Sequence, residues 1–226
     1  MKLRQISSVK YFAGLAAALL FLAGTAIAGP PLICHAVDIG TANSLPWTSS
    51  GWNLSGQETY DVSHLVPDTL ALLAPSTPVL VRMETLRRAT LYAQKRTAIA
   101  MELLMRLEAR TRENPKDALA AFDFGYLAEC YKQASWVTQH TDWLKATEGV
   151  GNARANVAMK IDGYEWVRKA IVLRGSDPQM EFAAALMTTE GARSEHNQHL
   201  QNAMAGAKAD ALLARNLASR FPKNAV

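Results

Sequence analysis

From residue 60 to the carboxyl end, apolar residues recur at helical spacing and are interrupted only by helix-ending punctuation, which leaves an all-α fold as the solution. The sharpest stop is Arg174-Gly175-Ser176-Asp177-Pro178. Glycine suits the position just past a helix end, aspartate caps the next helix and proline opens it. Ser76-Thr77-Pro78 predicts another start, a capping hydroxyl ahead of proline at the first helical position. Before it, a short helix containing Asp68 to Leu73 stops ahead of Pro75.

The helix after Pro78 sets Val79, Met83, Leu86, Thr90 and Ala93 on one face, and Ile99, Leu103 and Leu107 continue the series, in one long helix or in two that break at Lys95-Arg96-Thr97, where no glycine or proline enforces a stop. Asn114-Pro115 closes that region. Lys116 to about Gln139 forms the next helix, with Leu119, Phe122, Tyr126, Cys130 and Val137 at core spacing. A polar, glycine-containing connection around 147–156 leads into a helix that runs to Arg174 through Tyr164, Val167 and Ile171. Two alanine-rich helices finish the chain, one ending near Gly191 and the other carrying Leu200, Met204, Ala207, Ala211, Ala214 and Ala218 on one side. Short connections predict antiparallel helical hairpins in an irregular repeat-like stack or bundle. A tetratricopeptide template is matched locally only at Phe124-Gly125, so no regular repeat is established.

The amino-terminal residues 1–28 read as a secretory signal peptide. Lys2, Arg4 and Lys10 give a positive start, Tyr11 to Leu22 an apolar stretch, and Ala26-Ile27-Ala28 the small residues of a cleavage site. The expected mature chain starts at Gly29 and is exported, to a bacterial periplasm or outside the cell, with no membrane insertion after cleavage. The signal carries three of the four net positive charges, which leaves the remainder near about +1 and removes the case for a nucleic-acid partner.

Residues 29–60 read as an extended arm, rich in Gly, Pro, Ser, Thr and Trp and without sustained period, ahead of a helical domain over 61–226. Trp47 and Trp52 are expected to pin the arm across the helices, or to line a ligand groove. Cys34 and Cys130 are a disulfide candidate, since export places them in an oxidising space. The other reading of Cys130 is a buried, inert thiol on the apolar stripe of its helix.

Chemistry-bearing motifs are sparse. Cys34-His35 offers two metal-ligand types but lacks the first cysteine of the Cys-x-x-Cys-His haem motif. Glu195-His196-Asn197-Gln198-His199 could bring His196 and His199, or Glu195 and His199, to one side of a helix as metal ligands, although it is not the His-Glu-x-x-His zinc motif. No Gly-x-Ser-x-Gly elbow and no phosphate-binding glycine loop occurs. Carboxylates such as Glu84 have basic residues within helical reach, as at Arg87 and Arg88, which reads as exposed surface pairing.

Four segments, Gly29-Pro-Pro-Leu-Ile-Cys-His35, Asp38-Ile-Gly-Thr-Ala-Asn-Ser-Leu-Pro-Trp47, Arg82-Met-Glu-Thr-Leu-Arg-Arg-Ala89 and Gly163-Tyr-Glu-Trp-Val-Arg-Lys-Ala170, resemble stretches of uncharacterised exported helical proteins of bacteria. The resemblance spans most of the chain after Gly29 and implies that arm and helices form one unit. It brings no activity, cofactor or catalytic residue.

Two function classes fit. The preferred one is an exported, non-catalytic helical module that binds a protein or peptide of the cell envelope without a cofactor, with Arg82, Arg87, Arg88, Tyr92, Trp47 and Trp52 as the candidate interaction face. The alternative is a metal- or haem-associated envelope protein, with an enzyme among its forms, built on Cys34 and His35 or on His196 and His199.

Overall fold

The computed structural model describes residues 29–48, 54, 56–140, 157–189 and 194–222, with the side chains of 95 and 136–140 excepted. The signal expectation for 1–28, Trp52 and the connection around 147–156 lie outside these residues. The described chain is all-α, in eight α-helices: α1 (Leu65–Leu72), α2 (Val79–Tyr92), α3 (Thr97–Glu113), α4 (Ala118–His140), α5 (Gly163–Arg174), α6 (Pro178–Met187), α7 (His196–Ala207) and α8 (Ala211–Arg220). Single 3₁₀ turns precede α1 (Val62–His64) and join α2 to α3 (Ala93–Lys95). Among the described residues no helix is long and apolar enough to cross a membrane.

Most neighbours in sequence pack against one another, α2 and α3 meeting through the 3₁₀ turn between them, and α2 also meets α4 and α6. Most of α2 is buried on every side, and only Arg88 among its charged residues reaches solvent, with 18% of its side chain exposed. At the α4–α5 crossing Gly125 and Gly163 face each other. A Cβ on Gly125 would lie 2.5 Å from the Gly163 carbonyl oxygen, so both glycines are required for this approach.

Local chemistry sets several boundaries. Asp177 accepts from the amides of Gln179 and Met180 ahead of Pro178, and Gly175 takes a left-handed φ of 80° to end α5. Asp117 caps α4 through the amides of Leu119 and Ala120. Thr77 does not cap α2: its hydroxyl donates to the Leu72 carbonyl at 2.8 Å, closing the preceding loop. The amide of Leu80 donates instead to the Gln179 side chain, 99 residues away, at 3.0 Å.

The last helix expected from sequence is two. Asp210 accepts from the amides of Leu212 and Leu213, both at 3.0 Å, and starts α8 afresh after a short turn. The chain folds back there, so the apolar stripe expected on one helix becomes two facing walls.

The arm is no surface strap. Leu32, Ile33, Val37, Ile39 and Leu45 are each 8% exposed or less and belong to the same apolar core as the helices. Nor is it uniformly extended: Ile33 and Cys34 donate to the Pro30 carbonyl in a tight turn, and Gly40 takes a φ of 61° at a second one.

Candidate functional site

The segment Arg82-Met-Glu-Thr-Leu-Arg-Arg-Ala89 of α2 points its polar side chains into the protein. Glu84, wholly buried, accepts from the Val37 amide at 2.9 Å and from Arg87 Nη1 and Arg88 Nε at 3.1 and 2.8 Å. Arg87 Nε donates to the Ile33 carbonyl and Arg88 Nη1 to that of Leu45. Helices α4 and α8 add to the same clamp. Gln133 accepts the Leu32 amide, Asn216 accepts the Asp38 amide and donates back to its carbonyl, and Arg220 Nη2 donates to the carbonyls of Pro31 and His35. Side chains from three helices thus satisfy the backbone of an irregular segment that no sheet supports.

This overturns the surface reading of the arginines. Arg82 and Arg87 are both 0% exposed. Arg82 pairs with Asp123 of α4 at 2.6 Å and donates to the carbonyls of Thr77 and Ala74, tying the α1–α2 loop to α4. Neither can touch a partner, and the Glu84–Arg87 pair is an interior contact. Trp47 and Tyr92 do meet: their rings are 5.5 Å apart edge to face, with Arg87 and Arg88 5.6 and 5.8 Å from the indole centre. The Tyr92 hydroxyl accepts from the Gln57 amide and donates to the Pro46 carbonyl. Trp47 therefore fastens the end of the arm to α2, as one of the two sequence readings expects.

Cys34 and Cys130 are separate thiols with no bridge. Cys130 is wholly buried on α4, bonds the Thr90 side chain, and burial pushes its thiol far above the usual range. The thiolate that disulfide exchange requires is therefore suppressed. Cys34 and His35 are half-buried beside Arg220. Burial lowers that guanidinium to about 10, so it stays charged at neutral pH.

The histidines of α7 are likewise taken up inside. Nδ1 of His199 donates to Glu181 Oε2 at 2.5 Å, and Nε2 faces the Tyr164 hydroxyl at 2.8 Å. Asn202 and Ser176 donate to the other Glu181 oxygen. This network joins α5, α6 and α7 and leaves no ring nitrogen of His199 for a metal. Nδ1 of His196 meets the Ala185 carbonyl at 3.1 Å and the Thr188 hydroxyl at 3.0 Å. Gln198 joins this network from the surface by donating to Asn202 Oδ1 at 2.9 Å, whereas the Glu195 carboxylate accepts from the Ser194 hydroxyl. Among the described residues no group of three or more His, Cys, Asp or Glu could hold a metal ion. Sequence reasoning missed the Glu181 network; its signal was one charged residue within the apolar run Met180-Glu-Phe-Ala-Ala-Ala185.

An open groove of about 790 Å³ lies between α7 and α8. Leu200, Met204, Ala207, Ala214, Leu217 and Phe221 form its apolar floor and walls. Gln201, Lys208 and Arg215 supply the polar lining, and no carboxylate does. Arg215 is engaged by Asp38 at 2.8 Å, whereas Lys208 is exposed and has no partner among the described residues. A shallower depression of about 360 Å³ lies at Gln57, Tyr60, Asp61 and Asp68. Its polar groups are spent on one another, as where the Tyr60 hydroxyl donates to Asp68 at 2.7 Å.

Comparison with protein-family models, with curated proteins and with solved structures gave no match.

Proposed function

We propose that the protein is an exported, non-catalytic helical module of the cell envelope that binds a protein or peptide partner through the groove between α7 and α8. The observation that carries this is the groove itself. It is an open, mainly apolar concavity of about 790 Å³ on the α7–α8 hairpin, lined among the described residues by these two helices, the turn between them and Phe221 alone. Export rests on the charge, apolar and small-residue order of 1–28.

Two facts support a binding role over a catalytic one. The acid–base groups buried in the described structure, Glu84, Asp123, Glu181 and His199, are bonded to arginines, to one another or to backbone. The groove itself presents no nucleophile, acid or base beyond Lys208. The arm is no exchangeable stand-in for a peptide, because its five buried apolar side chains are worth about 7–15 kcal/mol together, as much as the net stability of a typical domain.

Site-specific photocrosslinking tests the proposal. A benzophenone side chain at Ala218, beside the groove, should capture a discrete envelope protein or peptide from the host, and one at Arg106, on the exposed face of α3, should not. Equal capture from both positions, or none from Ala218, would sink the proposal, as would a stoichiometric metal or haem in the purified protein.

A further inference from the structure

Resting on that groove as the binding site, we infer that its occupant is an amphipathic α-helix of about three turns with acidic residues beside its apolar stripe. The argument starts from what an extended segment needs. This chain shows such a case in its own arm, where Glu84, Arg87, Arg88, Gln133, Asn216 and Arg220 each bond a backbone amide or carbonyl. An extended backbone has no internal bonds, so every buried amide and carbonyl must find a partner.

The α7–α8 groove offers nothing of the kind. Its walls are two helices whose amides and carbonyls, apart from those of the end turns, are bonded within the helix. Its polar lining is Gln201, Lys208 and Arg215, and Arg215 is already held by Asp38. An extended peptide laid on Leu200, Met204, Leu217 and Phe221 would leave its backbone unpaired. A helix satisfies its own backbone and presents only side chains.

Size and charge agree. Helices of 12 and 10 residues bound a trough of roughly 15–18 Å, or about three helical turns. Ala207 and Ala214 leave room between the walls for larger side chains at i, i+3, i+4 and i+7 of an incoming helix. Among the described residues the only charges lining the trough are Lys208 and Arg215, both positive, and Lys208 has no counter-ion among them. Acidic residues flanking the partner's apolar stripe complement it.

Two displayed peptide libraries of equal length make the test, one on a helix-stabilised scaffold and one on a proline-containing extended scaffold, selected against the full chain. The expected result is ligands from the helical library alone, with apolar residues at i, i+3, i+4 and i+7 and Asp or Glu alongside. Their affinity should fall at least tenfold with Ala218→Trp, which crowds the trough from an exposed position, and several-fold with Lys208→Glu, which serves as the second variant where tryptophan perturbs the hairpin. Ligands from the extended library that Ala218→Trp blocks, or ligands with basic flanks, would overturn the helix inference and leave the groove as a peptide site. No groove-dependent ligand from either library would overturn the function proposed for the groove. Self-association by sedimentation that Ala218→Trp abolishes would identify a second copy of this chain as the occupant and overturn the helix inference.

Discussion

Glu84 meets three donors from a position that no solvent reaches, and the reason it can do so is that each donor is also anchored elsewhere. The Val37 amide belongs to the arm, Arg87 continues to the Ile33 carbonyl, and Arg88 to that of Leu45. Removing one member of such a buried set leaves charge without compensation. Glu84→Ala is expected to cost about 3–5 kcal/mol by urea denaturation. Arg168→Ala, which breaks the half-exposed pair with Glu165, should cost less than about 1 kcal/mol. Comparable losses from the two would contradict the interior role of Glu84. Asp123 gives a pH signature. Burial lifts its carboxyl to about 6 against the opposing pull of Arg82, whereas the unfolded value is roughly 3.9. The native state thus holds a proton that the unfolded state has released, so this group's contribution to stability falls as pH rises from about 4 to about 6 and is level above that. Asp123→Asn should flatten this segment of the stability curve while lowering the whole of it. Parallel curves for the two proteins would show that Asp123 titrates elsewhere. At Cys130 the buried, protonated thiol predicts no alkylation by iodoacetamide in the folded protein and full alkylation after denaturation, read by mass spectrometry.

At the scale of elements, the decisive event is the break after α7. Nothing in Lys208-Ala209-Asp210 is a glycine or proline, and the apolar stripe from Leu200 to Ala218 runs through it at helical spacing. What ends α7 is the competition of the Asp210 carboxylate for the amides of Leu212 and Leu213. Asp210 is also held from outside, since Gln179 of α6 donates to its second oxygen at 2.7 Å. Asp210→Ala is therefore expected to cost about 1 kcal/mol, the ordinary value of a lost cap. Ligand binding at the groove should weaken more than this loss of stability accounts for, because the angle between α7 and α8 depends on the same residue. Isothermal titration beside thermal melts checks this; unchanged affinity would show that the hairpin is set by packing alone. The α4–α5 pair illustrates the opposite case, in which Gly125 and Gly163 set the approach by the absence of side chains.

For the whole molecule, the arm is the element that turns a row of helices into one cooperative unit. It runs from α4 and α8, through Gln133, Asn216 and Arg220, to the centre of α2, and places five apolar side chains in the shared core. Ile33→Ala, although outside every helix, should cost about 2–5 kcal/mol in a single transition. A small loss confined to an early, separate transition would mean that the arm is a surface appendage. Amino-acid order by itself determined the all-α fold, the stop at Arg174-Gly-Ser-Asp-Pro, the break at Asn114-Pro115, and the apolar faces, because these depend on period and on caps a few residues apart, whereas the choice between one helix and two around Lys95–Thr97 came from the structure. Only the tertiary structure decided which charges lie inside. Arg82, Glu84 and Arg87 read as surface residues and His199 as a metal-ligand candidate because each has polar company within one helical turn, and what buries them comes from the arm or from α4, α5 and α6. The same holds for the groove: its residues were legible as an apolar stripe, but their meeting across a hairpin required a cap that the spacing alone does not distinguish from an uninterrupted helix.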